Sequence, residues 1–336
     1  MRLLRAVLLR LATTAVTLLG VAVVVFVVIR VVPGNPIAMM LPPGATDADI
    51  ARLEGLYGLD RSIPEQFLIW GWGVLGGDFG TSITARQPVL GLVLGRLPAT
   101  LELSLMALVI AVALGMATAL LGTRWRDTRR EGALDVATAV ILSVPDFLWG
   151  LVLILLFGVL VPVFHISGRV TPALEPEFHT SFYLFESLLR LRLDLWADVV
   201  AHGLMPAVAL ALPLAAIIAQ LLKQGLKETM HLDYVTLARV KGYSEARVIR
   251  REALPNAILP TLTLIGVQFT FLIGGTVIVE RLFSYEGLGN MAIDAVINRD
   301  LPLIQGIVLV FALLFVLVNL AVDMTYTLLN PRLRHG

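Results

Sequence analysis

What most limits this chain is a succession of long apolar stretches, each close to the length needed to cross a lipid bilayer. The first, Leu11 to Ile29, carries no ionisable side chain. About 19 helical residues suffice to span a hydrocarbon core near 30 Å thick. Comparable stretches follow at about 100–122, 134–157, 204–222, 258–279 and 303–328. The expected fold class is therefore all-α, a polytopic membrane protein with six transmembrane helices. Composition agrees: 15% of residues are charged, against about 25% in soluble domains. The mean hydropathy is +0.85.

The basic residues orient these stretches. Arg2, Arg5 and Arg10 precede the first run, and Val31-Val32-Pro33-Gly34 offers no small-x-small cleavage site. That predicts an uncleaved first span with a cytoplasmic N-terminus. Arg124, Arg126, Arg129 and Arg130 follow the second run, and Lys223 and Lys227 follow the fourth. Retention of positive charge on the inner side puts both termini in the cytoplasm of a multi-pass protein. All three lysines, including Lys241, then fall inside.

Three polar stretches are expected outside. Residues 32–97 hold turn signals at Pro33-Gly34-Asn35-Pro36, Gly58-Leu59-Asp60 and Gly77-Asp78-Phe79-Gly80, with an acidic helix candidate after Thr46. His165–His202 is mixed in charge, and its aromatic residues read as interfacial anchors. Glu280–Pro302 is the last. Within the third run, Ser143-Val144-Pro145 predicts a kink, because proline removes a backbone donor and clashes with the preceding turn. A broken span can line a cavity or serve packing alone. Asp146 beside it reads either as a polar group facing a substrate path or as a bonded cap.

The longest basic interruption in the second half, Asp233 to Pro260, has internal order. Asp233 is a candidate N-cap, and Gly242 stands where a left-handed C′ residue would end a helix of about two turns, Tyr234–Lys241. Ser244 is placed to cap a second helix carrying Arg247, Arg250 and Arg251, running into Pro255 and the next apolar run.

Chemistry of the usual enzymatic kinds is missing. The sequence has no Gly-x4-Gly-Lys-Ser/Thr phosphate loop, no His-Glu-x-x-His and no Gly-x-Ser-x-Gly. Its five histidines show no metal-ligand spacing, and it contains no cysteine. Neither catalysis nor a bound metal is expected on this polypeptide. A net charge of +1 argues against nucleic acid as a partner. An ion-coupled secondary transporter would need carboxylates near the midplane; Glu102, Asp135, Asp146 and Asp323 are the candidates, most of them near span ends. Nothing resembles a channel filter.

The order Ala238-x3-Gly242 followed by Leu254-Pro255 resembles the EAA loop of permease subunits of bacterial ABC importers, with Thr236, Leu237 and Ala238 at the three naming positions. Tyr234, Ala238, Arg239, Lys241 and Gly242 are similar to the peptide-importer form of that loop. The series Pro-Gly-x-Pro, Gly-Leu-Asp and Gly-Asp-x-Gly-x-Ser between residues 33 and 82 resembles the extension of the B-type subunit of dipeptide and oligopeptide importers. So does Glu280-x2-Phe283-Ser284-x2-Gly287-Leu288-Gly289, where Glu286 replaces the family's usual proline.

The resemblance implies an N-terminal span and outer extension (1–95) and a type I importer transmembrane domain (96–331) containing the coupling loop at 233–260. It implies a bacterial inner-membrane location in contact with lipid. The implied partners are a second homologous permease, two ABC ATPase subunits and an extracytoplasmic solute-binding protein. ATP and Mg would sit on the ATPases, with no cofactor on this chain. The small Ala238 would allow close approach to the ATPase, and Arg239 and Lys241 would add peripheral charge pairing. Pro145 and Asp146 are the candidates for the translocation path. Dipeptides or oligopeptides are the implied cargo, with glutathione, nickel chelates or another small solute as the alternative.

Overall fold

The computed structural model describes residues 2–31, 46, 61–174 and 177–329. The turn signals at 33–36 and 58–60, the acidic stretch after Thr46 and the C-terminal Asn330-Pro331-Arg332 lie outside the described residues. The described residues are helical and contain no strand, apart from one isolated bridge between Thr81 and Pro88.

The chain divides into two compact units, Met1–Leu97 with Met291–Val316, and Pro98–Asn290 with Leu317–Gly336. In the first, α1 (Arg2–Val31) meets α2 (Ile63–Leu75) through an aromatic knot: Phe26 lies 5.2 Å from Phe67 and 5.4 Å from Trp70, centroid to centroid. A reciprocal capping box starts α2. The Ser62 side chain serves the first turn while Ser62 N–H donates to Glu65 Oε2 at 3.2 Å. The Gly77–Gly80 turn forms as read, with Gly80 N–H donating to Asp78 Oδ1 at 2.8 Å. Asp300 is buried and accepts from Ser82 Oγ and from the Thr84 and Leu303 N–H groups.

The second unit is built around α7 (Leu193–Thr229). Of its most apolar 18-residue window 61% is buried, against 28% for α3 (Val89–Arg124) and 28% for α9 (Glu245–Leu282), so α7 is the central helix. Small residues make this possible. Ala207, Ala211 and Ala215 sit in the core with Leu103, Ala107 and Ala111 of α3 and Leu272 and Val279 of α9. Helices packed in lipid gain mainly from such close approach, because burial from lipid brings little hydrophobic gain. At the other end, Gly225 lets α7 lie close to α9, where a Cβ would stand only 3.0 Å from the Ala257 carbonyl oxygen.

Among the described residues, four helices, α3, α7, α9 and Leu301–Val322 of α11 (Leu301–Leu329), are long and apolar enough to cross a membrane. The described apolar part of α1, Ala12–Val27, is shorter. The stretch expected as a span kinked at Pro145 over 134–157 forms two helices, α4 (Arg129–Ser143) and α5 (Asp146–Leu153, continuing as a π-helix Ile154–Leu160), bent by 103°. Pro145 explains the break: it keeps Val144 out of the α region, and Val144 is extended at φ −108°, ψ 125°. The freed Ile141 carbonyl accepts from the Trp149 indole at 3.3 Å. Counted as one crossing, the pair is the fifth.

Outside the long helices, α6 (Tyr183–Leu189) and the segment around Arg169 are held by buried charge. Arg169 and Glu102 form an ion pair with side chains 4% and 1% exposed, and Glu102 Oε1 also accepts from Leu184 N–H. Two shorter helices are α8 (Asp233–Val240), between α7 and α9, and α10 (Leu288–Ile297), before α11.

Candidate functional site

The basic interruption folds as a tight helical hairpin between α7 and α9. Its first helix begins at Asp233 itself. Leu232 holds the cap position, with the Val235 and Thr236 N–H groups donating to its carbonyl. Asp233 is thus one place inside the helix, where its charge still complements the positive end of the dipole. The reason is local: α7 ends in a turn in which Leu232 N–H donates to Thr229 carbonyl, and that turn sets the cap.

The other end of α8 is as the sequence indicates. Gly242 has φ +82°, Gly242 N–H donates to the Arg239 carbonyl, and Tyr243 N–H donates to the Ala238 carbonyl. These are the 5→2 and 6→1 bonds of a Schellman stop. Arg239 then folds across the turn onto Glu245, at 2.8 and 3.2 Å through two nitrogens, so it clasps the hairpin. Beyond Ser244 the chain enters Glu245–Arg247, a π-helical turn Val248–Ala253, and Leu254–Leu282, together one 38-residue element. Proline at 255 cannot donate and collides with the carbonyl four residues back, and a wider π turn just before it relieves both.

The faces of α8 divide sharply. Val235 and Ala238 turn inward onto Leu226, Met230, Val248 and Ile249. The small side chain of Ala238 therefore lets α8 approach its own α9. Outward, Tyr234, Leu237 and Val240 form an apolar stripe, 39%, 53% and 79% exposed, flanked by exposed Thr236 and Lys241. Tyr234 Oη accepts from Asn256 Nδ2 at 2.8 Å, fixing the stripe's first residue to α9. Leu254 is half-buried against the inner cluster and Pro255 is exposed. Val240 was not singled out by sequence; its i, i+3, i+6 spacing with Tyr234 and Leu237 was the available signal.

Beside the hairpin lies a cavity of about 550 Å³ lined by Arg124, Arg126, Glu131, Lys223, Lys227 and Arg250, among others. Lys223 bridges Glu131 at 2.8 Å and Asp135 at 2.7 Å, tying the end of α7 to α4.

At the break between α4 and α5, Asp146 is half-buried and its Oδ1 accepts from Phe147 N–H at 2.8 Å, while Pro145 is exposed. The neighbour of Oδ2 is Gly275 on α9, which would bring a Cβ to 3.9 Å. Among the described residues, no hydrogen bond or ion pair joins Pro145 and Asp146 to the hairpin residues.

The motif at the end of α9 has a physical basis. Glu280 is wholly buried; Oε1 accepts from Thr100 Oγ1 at 2.7 Å and Oε2 from Asn290 N–H at 3.0 Å. A side chain at Gly287 would overlap that carboxylate. The turn closes with Glu286 in proline's place, Gly287 N–H donating to Tyr285 carbonyl at 2.8 Å. Burial pushes the Tyr285 hydroxyl up from its ordinary range. Among the described residues, one His/Asp/Glu group has converging donor atoms: His165, Asp198 and His202, near the opposite end of α7.

Known proteins match this sequence along nearly its whole length. Residues 111–335 match the family described as "Binding-protein-dependent transport system inner membrane component", and residues 3–104 match "Binding-prot-dependent transport system membrane comp, N-term". The chain is 36% identical over 328 residues to the di/tripeptide transport system permease protein DppB of Pseudomonas aeruginosa (strain UCBPP-PA14), covering 97% of each. It is 36% identical over 341 residues to the dipeptide transport system permease protein DppB of Escherichia coli (strain K12), covering 99% of each. The glutathione transport system permease protein GsiC of Salmonella typhimurium (strain LT2) is 34% identical over 320 residues, with 95% of each covered. In fold it is similar to a chain of the MetNI methionine ABC transporter in inward-facing conformations, with a TM-score of 0.54 at 14% identity, covering 71% of this chain and 96% of that one. The chain belongs to the family of binding-protein-dependent transport system inner membrane components.

Proposed function

We propose that this chain is a permease subunit of an ATP-driven importer that carries dipeptides or oligopeptides across the inner membrane. The observation that carries the reading is the exposed stripe Tyr234, Leu237 and Val240 on a hairpin continuous with a membrane-length helix. An apolar face on a short, rigidly stopped helix suits a groove on a partner. Two ATPase subunits would receive this hairpin and a matching one from a second, similar permease. ATP and Mg would bind on those subunits. A solute-binding protein would deliver cargo from the outside, and the membrane would be crossed six times with both termini in the cytoplasm. Residues 1–95 would form an anchoring extension and 96–331 the permease core, with Pro145 and Asp146 in the translocation path. Similarity to the dipeptide permeases supports peptide cargo, and similarity to a glutathione permease keeps glutathione as the second reading.

The test is purification of the tagged chain in mild detergent, with identification of its partners and an ATPase assay. Co-purification of a second permease and ATPases, with hydrolysis stimulated by a peptide-loaded binding protein, is expected. A chain that purifies alone and moves solute in liposomes under a proton gradient would overturn the proposal. Glutathione outcompeting dipeptides for stimulation would select the second cargo.

A further inference from the structure

The histidines look unrelated in sequence, yet the fold gathers two of them with a carboxylate. One donor atom each from His165, Asp198 and His202 lie within 4.8 Å of one another. Asp198 and His202 are four apart on α7, hence on one face. His202 is buried, and its Nδ1 lies 2.9 Å from the Asp198 main-chain oxygen. The same Nδ1 lies 3.5 Å from Asp198 Oδ2, and in the tautomer that donates Nδ1–H to the main-chain carbonyl Nε2 keeps its lone pair. Metal-binding histidines are commonly oriented in this way by a second hydrogen bond.

The carboxylate is fixed as firmly. Asp198 Oδ2 accepts from Thr171 N–H and Oδ1 from Thr171 Oγ1, each at 2.7 Å. Each oxygen retains a further acceptor position. His165 stacks on His202, rings 3.9 Å apart and 9° from parallel. The loop that carries it is anchored on both sides. Phe164 packs on the core and on Phe157, Ile166 fills the notch at Gly158, and Gly168 N–H donates to Phe283 carbonyl at 3.1 Å. The His165 side chain itself is exposed, so its ring can swing while its backbone stays in place.

We propose that His165, Asp198 and His202 form a binding site for a divalent transition cation of the zinc type. Two imidazole nitrogens and one carboxylate oxygen match the preference of Zn²⁺, Co²⁺ and Ni²⁺. Magnesium and calcium take oxygen ligands, which two histidines do not supply. Three protein ligands leave one tetrahedral position for water. The ion clips the 161–171 loop to α7, at the end of that helix remote from Lys223 and Lys227 and from the hairpin.

The test uses the full-length chain purified in detergent through a histidine-free tag and stripped with chelator. Zn²⁺ titration is expected to give one ion per chain, and Co²⁺ to give the visible bands of a tetrahedral site that Zn²⁺ then removes. His165→Ala and His202→Ala should each weaken Zn²⁺ binding at least about tenfold. His231→Ala, beyond the other end of α7, should leave it unchanged. Because His165 is exposed, His165→Ala keeps the test decisive even where His202→Ala fails to fold. Absence of bound Zn²⁺ at micromolar free metal, or binding undiminished by His165→Ala, overturns the proposal.

Discussion

Gly242 gives the sharpest test of the hairpin. Its φ of +82° is in the left-handed region, and a Cβ built on it meets no atom within 4 Å. Substitution there is opposed by the backbone alone. Alanine should cost about 1 kcal/mol and a β-branched residue about 2 kcal/mol, whereas asparagine, which tolerates this region, should cost little. Against this, the exposed Arg239–Glu245 clasp contributes about 0–1 kcal/mol, and the two Schellman bonds each about 0.5–1.5 kcal/mol. A penalty near 2 kcal/mol is therefore comparable to what holds the turn. As about 1.4 kcal/mol is a factor of ten, Gly242→Val should reduce the properly turned hairpin by roughly tenfold or more.

The assay is binding-protein-dependent peptide uptake, normalised to the amount of chain in the membrane, with ATPase activity measured alongside. Gly242→Val should insert normally and lose most uptake, Gly242→Ala should be intermediate, and Gly242→Asn should be near wild type. Wild-type uptake by Gly242→Val would refute the role of the turn. Equal damage by Asn and Val would refute the argument from φ, since only volume would then order the series.

Other changes probe what surrounds the hairpin. Gly287→Ala puts a methyl group on the Glu280 carboxylate rather than into open space, so it should destabilise by about 1–3 kcal/mol in thermal unfolding in detergent; a change below about 0.5 kcal/mol would contradict the packing described. Arg169→Ala leaves Glu102 buried without its cation and should cost about 3–5 kcal/mol, partly recovered in the Arg169→Ala/Glu102→Ala double variant. Burial raises the Glu186 carboxyl, but hydrogen bonds from Thr180 and His179 and the charge of Arg190 outweigh it and bring it down to about 2. Its folded value is thus below its ordinary value of 4.5, so its contribution is complete above that value and is lost as the pH falls through the interval to about 2. The protection of residues 177–190 against hydrogen exchange, relative to the unfolded chain at the same pH, should therefore fall across that interval, and Glu186→Gln should remove this dependence.

Local features were legible where one short stretch determines them. Gly242 announced a left-handed stop because few other residues take that conformation cheaply, and Pro145 announced a break by restricting Val144. The size of a bend is not local: Trp149 and the neighbouring helices decide what angle a broken span adopts. Pairing across the chain was illegible for the same reason. Glu102 and Arg169 are 67 residues apart, and neither carries a sign of its partner. Ala238 shows the same difficulty on a small scale, since a small residue indicates close approach but not to which neighbour. His165 and His202 have no ligand-like spacing in the sequence, and they come together only when the 161–171 loop is folded against α7.

The position of the π turn bears on how the hairpin can act. A proline kink at residue 255 would have hinged α8 away from the membrane helix, because the missing donor and ring clash break the hydrogen-bond ladder. A π turn over Val248–Ala253 keeps the element helical through Pro255, from Glu245 to Leu282, about 57 Å at 1.5 Å per residue. At its far end Glu280 is joined to Thr100 of α3 and to the Asn290 main chain. At its near end the Schellman stop, Arg239 clasp and Tyr234–Asn256 bond fasten α8 to it. On the proposed function, a push on Tyr234, Leu237 and Val240 is thus delivered to a rod whose distant end already holds α3. Loosening Glu280 should then weaken the response of ATPase activity to the binding protein while leaving hairpin docking intact. Loosening Gly242 should weaken both.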